Sequence, residues 1–293
     1  LGTVQPFNPN GRINALREPN WMNIDDTLNF ELPIAWTLEP ALRLTVEVNP
    51  NRSVVEENYA NNQLSKDVTT RACDGIEIGY VPIHYTPPGG YNPADPSENI
   101  KFGQRFMQKI YPVSENGLSY WHYGGHGLTY VPNYSVIFSS DVNTDTNDNK
   151  LLADLFTEWN LSSAFRPDYL YGWLPSGAYK YNGRADINGK IAFGNDTEEP
   201  SLWRIIFAHE LGHNLGLQHP VPITLTTGGA HWFDVYYRII KPASVGGAEL
   251  YDFMVGGQLI KMGDEAWISP RNYHYLLNKL CPAKTNTALS KME

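Results

Sequence analysis

Residues 209–219 read H-E-L-G-H-N-L-G-L-Q-H. His209 and His213 are four apart, so on a helix they stand one turn above the other on the same face, where two imidazole nitrogens can reach one ion about 2.0–2.1 Å away. Tetrahedral zinc needs a further ligand, and a straight helix cannot deliver it. Gly216 follows three residues after His213. Without a β-carbon it can adopt left-handed backbone and end the helix, after which the chain doubles back to present His219. Three neutral ligands leave one coordination position for water, the open site of a catalytic rather than a structural zinc. Glu210, next to the first ligand, is placed to accept that water's proton and to return it to a leaving group. The expected site is therefore His209, His213 and His219 on one Zn2+, with Glu210 as base and acid in turn.

The motif helix is expected to start near Ser201, behind Pro200 and the acidic pair Glu198 and Glu199, all favourable at a helix N-terminus. Its Leu202, Ile205, Ile206 and Leu215 supply a core-facing side. Upstream, I-E-I-G-Y-V-P-I-H-Y from Ile76 is a strongly apolar strand; a Pro/Gly-rich loop follows, and residues 97–110 read as a helix. Residues 118–123, 134–139 and 168–174 read as further strands and 150–160 as a second helix. Residues 185–193 read as a Gly-flanked strand just before the motif helix. The fold class expected from this order is α/β (α+β).

Residues 1–68 read differently, as a small all-β segment with extended runs at 12–17, 27–32 and 41–48 separated by turn signals. In the last of these Leu42, Leu44, Val46 and Val48 alternate with Arg43, Thr45 and Glu47, the pattern of a half-buried strand. The expected division is an accessory segment at 1–68 and a larger domain at 69–293. Within the first, V-N-P-N-R-S-V-V-E-E-N-Y-A-N-N, residues 48–62, resembles the penultimate turn of the immunoglobulin-like adhesion modules of secreted bacterial proteins. The segment is too short for a whole seven-stranded sandwich, so a partial module is expected.

The zinc motif itself resembles the signature H-E-x-x-H-x-x-G-x-x-H of the metzincin family of zinc endopeptidases, matched here at every fixed position. The resemblance runs loosely from Ile76 to Leu280. It implies a twisted sheet and two helices above a horizontal cleft, a zinc helix as its floor and a lower half ending in a helix. W-I-S-P-R-N-Y-H-Y-L-L, from Trp267, would supply that last helix, with Ser269 as cap and Pro270 in the first turn. The family also carries a methionine turn beneath the metal. Y-D-F-M-V-G-G, residues 251–257, fits that role and makes Met254 the supporting methionine. Some members place a tyrosine two residues after the methionine as a further ligand; Gly256 stands there in this chain, so no such ligand is expected and the subfamily stays open. The strand at 185–193 would form the cleft edge, where an extended polypeptide could pair through its backbone. The activity implied is zinc-dependent hydrolysis of peptide bonds by a secreted or cell-surface protein. A zinc-retaining adhesion protein without turnover, or a hydrolase of a non-protein amide, are the alternatives.

Composition narrows the partners. The 22 Lys and Arg against 31 Asp and Glu give a formal charge of −9, a field that repels nucleic acid and anionic membranes. No stretch approaches the roughly 18 apolar residues of a membrane span. Cys73 and Cys281 are expected to form a disulfide tying the start of the larger domain to its end; the alternative, implied by latent metzincins, is that Cys73 in R-A-C-D-G blocks the zinc. D-V-N-T-D-T-N-D-N, residues 141–149, offers oxygen ligands at Asp141, Asn143 and Asp145 in the manner of a calcium loop, but lacks the glycine and glutamate of that loop. Ca2+ there is the lesser expectation, a polar turn the commoner one. His122 and His126 are also four apart, with Gly124 and Gly125 between them arguing against a helix and for hydrogen-bonded loop histidines. Oligomeric state is not readable from the chain.

Overall fold

A computed structural model describes residues 1–8, 13, 16–20, 23–87, 99–114, 116–127, 129–162, 165–196, 200–220, 232–234, 239–241, 244–245, 248–249, 251–255 and 266–282. The chain divides into two compact units, of which the first holds Leu1–Ala72 and the second is Cys73–Cys281.

In the first unit a short helix α1 (Ile34–Thr37) precedes an antiparallel pair, β1 (Ala41–Glu47) and β2 (Gln63–Thr69), in the register Leu42↔Val68, Leu44↔Lys66, Val46↔Leu64. The runs at 12–17 and 27–32 are not strands in their described residues. Side chains take the place of a ladder there: Asn8 Nδ2 donates to the carbonyls of Ile24 and Thr27, and Asn8 Oδ1 accepts from the Asn29 N–H. Such local bonds compete with strand pairing for the same backbone groups. Residues 48–62 form the connection between β1 and β2. Asn49 holds it, its amide donating to the Val54 carbonyl and its Oδ1 accepting from the Val54 N–H.

The second unit is a mixed α/β structure. In chain order it runs β3 (Ile76–Tyr85), α2 (Asn99–Ile110), β4 (Leu118–His122), β5 (Val136–Phe138), α3 (Asp145–Leu161), β6 (Tyr169–Leu174), β7 (Gly183–Ala185), β8 (Ile191–Asn195), α4 (Pro200–Asn214) and, at the end, α5 (Pro270–Leu280). The sheet order is β4-β3-β6-β8-β7, with β5 pairing the last residues of β3. β4, β3, β6 and β8 are parallel; β7 is antiparallel to β8 and ends the order. Every residue of β6 is buried, as a central parallel strand covered on both faces must be. One face carries Ile76, Ile78, Tyr169, Tyr171, Trp173 and Ala192 into a core shared with α2, α4 and α5; the other carries Val81, Ile83, Leu170, Leu174, Ile191 and Phe193 against α3.

The single strand expected at 185–193 is a hairpin instead. β7 and β8 meet in the register Ala185↔Ala192, Gly183↔Gly194, and the turn between them holds Asn188 at φ 58°. A residue in left-handed backbone followed by glycine is ordinary hairpin chemistry. Helix α3 begins five residues before the expected 150, because Thr144 caps it by accepting from the Asn147 N–H. That cap also accounts for the acidic loop before it. Asp141 Oδ1 accepts from the Asn143 N–H and side-chain amide, while Asn143 bridges to the Ala178 carbonyl and the Lys180 N–H. Asp145 is simply the first residue of the helix. Ca2+ at Asp141, Asn143 and Asp145 thus finds no support: the Asn143 oxygen is spent on a backbone N–H, and the loop is a polar connection.

Cys73 and Cys281 are bonded to each other, so the disulfide joins the first and last residues of this unit across 208 positions of sequence. The cysteine-block alternative at Cys73 is excluded in this oxidised form. Replacing both cysteines by alanine is expected to cost about 2–5 kcal/mol of stability, chiefly by freeing the unfolded chain, measured as a lower midpoint in denaturant; an unchanged midpoint would show that the bond constrains nothing. Among the described residues no helix is long and apolar enough to cross a membrane.

Candidate metal centre

Helix α4 is buried on nearly all sides from Ile205 to Leu215, which fixes its axis against the sheet and α2. Its end is built as the sequence requires. Gly216 takes φ 95°, the Leu217 N–H returns to the Gly212 carbonyl and the Gly216 N–H to the His213 carbonyl. This paired closure is the Schellman end of a helix. It turns the chain so that His219 faces back on the two helical histidines.

The three Nε2 atoms form a nearly equilateral triangle, 3.0 Å from His209 to His219, 3.1 Å from His209 to His213 and 3.1 Å from His213 to His219. Their other ring nitrogens explain what this closeness means. His209 Nδ1 lies 2.9 Å from the Phe253 carbonyl and His213 Nδ1 2.9 Å from the Leu217 carbonyl. A carbonyl can only accept, so each Nδ1 carries the proton and each Nε2 of these neutral rings presents a lone pair. Burial keeps the rings neutral: it pushes His209 down to about 3, aided by the charge His213 would carry, and it lowers His213 and His219 as well. Lone pairs converging at this spacing repel one another unless a cation sits among them. The donor set, three neutral imidazoles of which two are oriented by carbonyls, is one that zinc takes. Among the described residues it is also the one cluster of three His, Cys, Asp or Glu side chains within metal-binding reach.

Glu210 is buried, and its carboxyl is pushed up to about 8 by that burial, with the Arg184 guanidinium pulling the other way. It packs beneath β7. A β-carbon on Gly183 would lie 2.7 Å from Glu210 Oε1, so the edge strand closes over the carboxylate only because glycine stands there.

Met254 is fully buried, in the turn at 251–254. A β-carbon on Gly212 would come 2.5 Å from its Sδ, so the glycine inside the motif is what lets the methionine approach the helix. Asp252 shapes the turn: its Oδ1 accepts from the Met254 N–H at 2.8 Å, its Oδ2 from the Ser269 N–H at 2.7 Å, and Asn272 Nδ2 reaches both oxygens at 3.0 Å. Ser269 caps α5 by accepting from the Asn272 N–H, with Pro270 in the first turn. The carboxylate thus ties the turn to the start of α5, one residue before the Phe253 carbonyl that orients His209. Asp252, Asn272 and Gly212 were not among the residues expected from sequence. Only the D-x-M spacing and the glycine inside the motif could have signalled them.

His122 and His126 lie elsewhere and bind no common centre. His122 Nδ1 meets Tyr130 Oη at 3.1 Å and its Nε2 the Tyr134 carbonyl at 2.9 Å, while His126 Nδ1 pairs with Glu158 Oε2 at 2.8 Å. Gly256, Glu198 and Glu199 fall outside the described residues.

No family model and no curated protein matches the chain. Among solved structures, archaemetzincin from Methanopyrus kandleri is similar with a TM-score of 0.38 and 12% identity, over 70% of this chain and 96% of that one. OgpA from Akkermansia muciniphila is similar with a TM-score of 0.37 and 13% identity, over 74% of this chain and 64% of that one. The chain therefore spans less than two thirds of OgpA.

Proposed function

We propose that this protein is a zinc-dependent endopeptidase of the metzincin type, acting outside the cell on polypeptide in extended conformation. The observation that carries the reading is the convergence of three Nε2 lone pairs, two of them fixed by Nδ1 bonds to carbonyls, beside a buried glutamate. His209, His213 and His219 would hold one zinc ion, with Met254 packed beneath the helix as support. Zinc bound there supplies a Lewis acid that polarises a carbonyl and acidifies water.

The remaining work falls to this chain's own residues. The Glu210 carboxylate takes the proton of the attacking water and passes it to the leaving nitrogen; its raised affinity for protons suits it to both tasks near neutral pH. Gly183 allows β7 to lie over that carboxylate, and among the described residues β7 pairs with β8 alone in the sheet order. Its other edge can take a substrate strand by backbone hydrogen bonds. Residues 1–68 are assigned to an accessory segment, set apart from a catalytic domain at 69–293.

The test is hydrolysis of a mixed peptide library by the wild type and by Glu210→Ala, with zinc quantified on each and a chelator control. Cleavage by the wild type alone, lost on chelation, is the expected result. A wild type that holds one zinc and cuts nothing would overturn the peptidase reading in favour of a zinc-retaining binding protein or a non-protein amide as substrate.

A further inference from the structure

The hairpin of β7 and β8 is fastened to the metal helix by one side chain. Asn214, next to the ligand His213 and fully buried, donates from Nδ2 to the Asp186 carbonyl at 3.0 Å and to the Ile191 carbonyl at 2.8 Å. These carbonyls flank the turn that joins the two strands, so one amide group spans the mouth of the loop. The turn answers from its tip, where the Asn188 N–H donates to the His213 carbonyl at 2.9 Å and Asn188 Oδ1 accepts from Lys279 Nζ at 3.0 Å. A β-carbon on Gly216 would collide with Asn188 Oδ1 and Tyr275 Oη, so the turn, the end of α4 and α5 meet at this glycine.

Packing alone does not explain an asparagine here. Its Oδ1 is buried without a hydrogen-bond partner among the described residues, a cost that a leucine of similar size would not incur. What leucine lacks is two N–H donors in one plane, diverging toward two carbonyls.

We propose that Asn214 is a positioning residue for substrate binding: it sets the height and tilt of the β7 edge above the metal ligands. The inference rests on the peptidase reading, in which β7 receives the substrate backbone. The His209 and His213 rings are held by the Phe253 and Leu217 carbonyls, and Glu210 rides on the helix itself. Displacing the hairpin therefore costs substrate alignment and shifts the strand that lies over the Glu210 carboxylate, while the helix that carries Glu210 and the two helical histidines stays in place.

The experiment is steady-state kinetics on a peptide the wild type cleaves, with zinc content measured on each protein. Asn214→Asp keeps the shape and removes both donors. It is expected to hold one zinc per chain and to lose about a hundredfold in kcat/KM, the scale of a misplacement near 1 Å, with the loss carried by KM. Asn214→Ser, which keeps one hydroxyl donor for one of the two carbonyls, is the milder variant should the aspartate fail to fold, and is expected to raise KM by less. Wild-type KM in a folded variant, a loss confined to kcat, or loss of zinc together with activity would each overturn the proposal. A wild type that cleaves nothing sinks the peptidase reading and this inference with it, whereas a cleaving wild type with an unaltered variant sinks the inference alone.

Discussion

Replacing Glu210 by glutamine is expected to lower kcat by about 10²–10⁴-fold, the usual contribution of a positioned general base, while leaving one zinc on each chain and KM nearly unchanged. Glutamine has the outline of glutamate, so the close contact with Gly183 survives. It cannot take up a proton. His209 and His213 do not depend on Glu210 for orientation, because the Phe253 and Leu217 carbonyls hold them by their Nδ1 atoms. Kinetics and metal content measured on the same preparation separate the two properties. Equal rates for the variant and the wild type would remove Glu210 from the chemistry, and loss of zinc would make it part of the metal's support.

The centre was legible in the sequence to the extent that its geometry is local. Eleven residues fix two histidines on one helical face, the glycine that ends the helix and the histidine that returns, because helix pitch and left-handed backbone are properties of short segments. Gly216 at φ 95° is one such constraint read in advance. The hairpin of β7 and β8 differs from the single strand expected at 185–193 although D-I-N-G-K holds its signal, because apolar residues on both sides of the Asn-Gly pair, Ala185 and Ile187 before it and Ile191 to Phe193 after it, read as one run. Residues that act at a distance left little trace. Asp252 meets Ser269 and Asn272, and Asn214 meets Asp186 and Ile191, over separations of 17 to 28 positions. Nothing local marks a buried Asn or Asp as the hub of such a set. In residues 1–68 the failure had the opposite cause: Asn8 and Asn29 satisfy the backbone by side-chain bonds that no apolar periodicity records.

In the metal-free protein, Glu210→Gln is expected to raise stability, and the gain should grow with pH. The folded-state carboxyl stands at about 8 against an ordinary 4.5, with burial as the cause. Folding therefore favours its protonated form: the corresponding stability is fully present below about 4.5 and is lost as pH rises through 8. Above that range the wild type buries an ionised carboxylate that the variant lacks. The difference is on the order of 5 kcal/mol. The histidines work in the other direction. His209, held down at about 3, costs stability as pH falls below its ordinary 6.5, but this loss is common to both proteins and cancels in their comparison. Denaturant midpoints in the presence of chelator at pH 5 and pH 9 test the point: near-equal midpoints at the lower pH and a clearly higher one for the variant at the upper are expected, and a gap independent of pH would refute the assignment. Adding zinc should shrink the gap at pH 9, because a cation beside the carboxylate favours its charged form. A carboxylate that destabilises the empty site would then be compensated by the ion with which it is proposed to act.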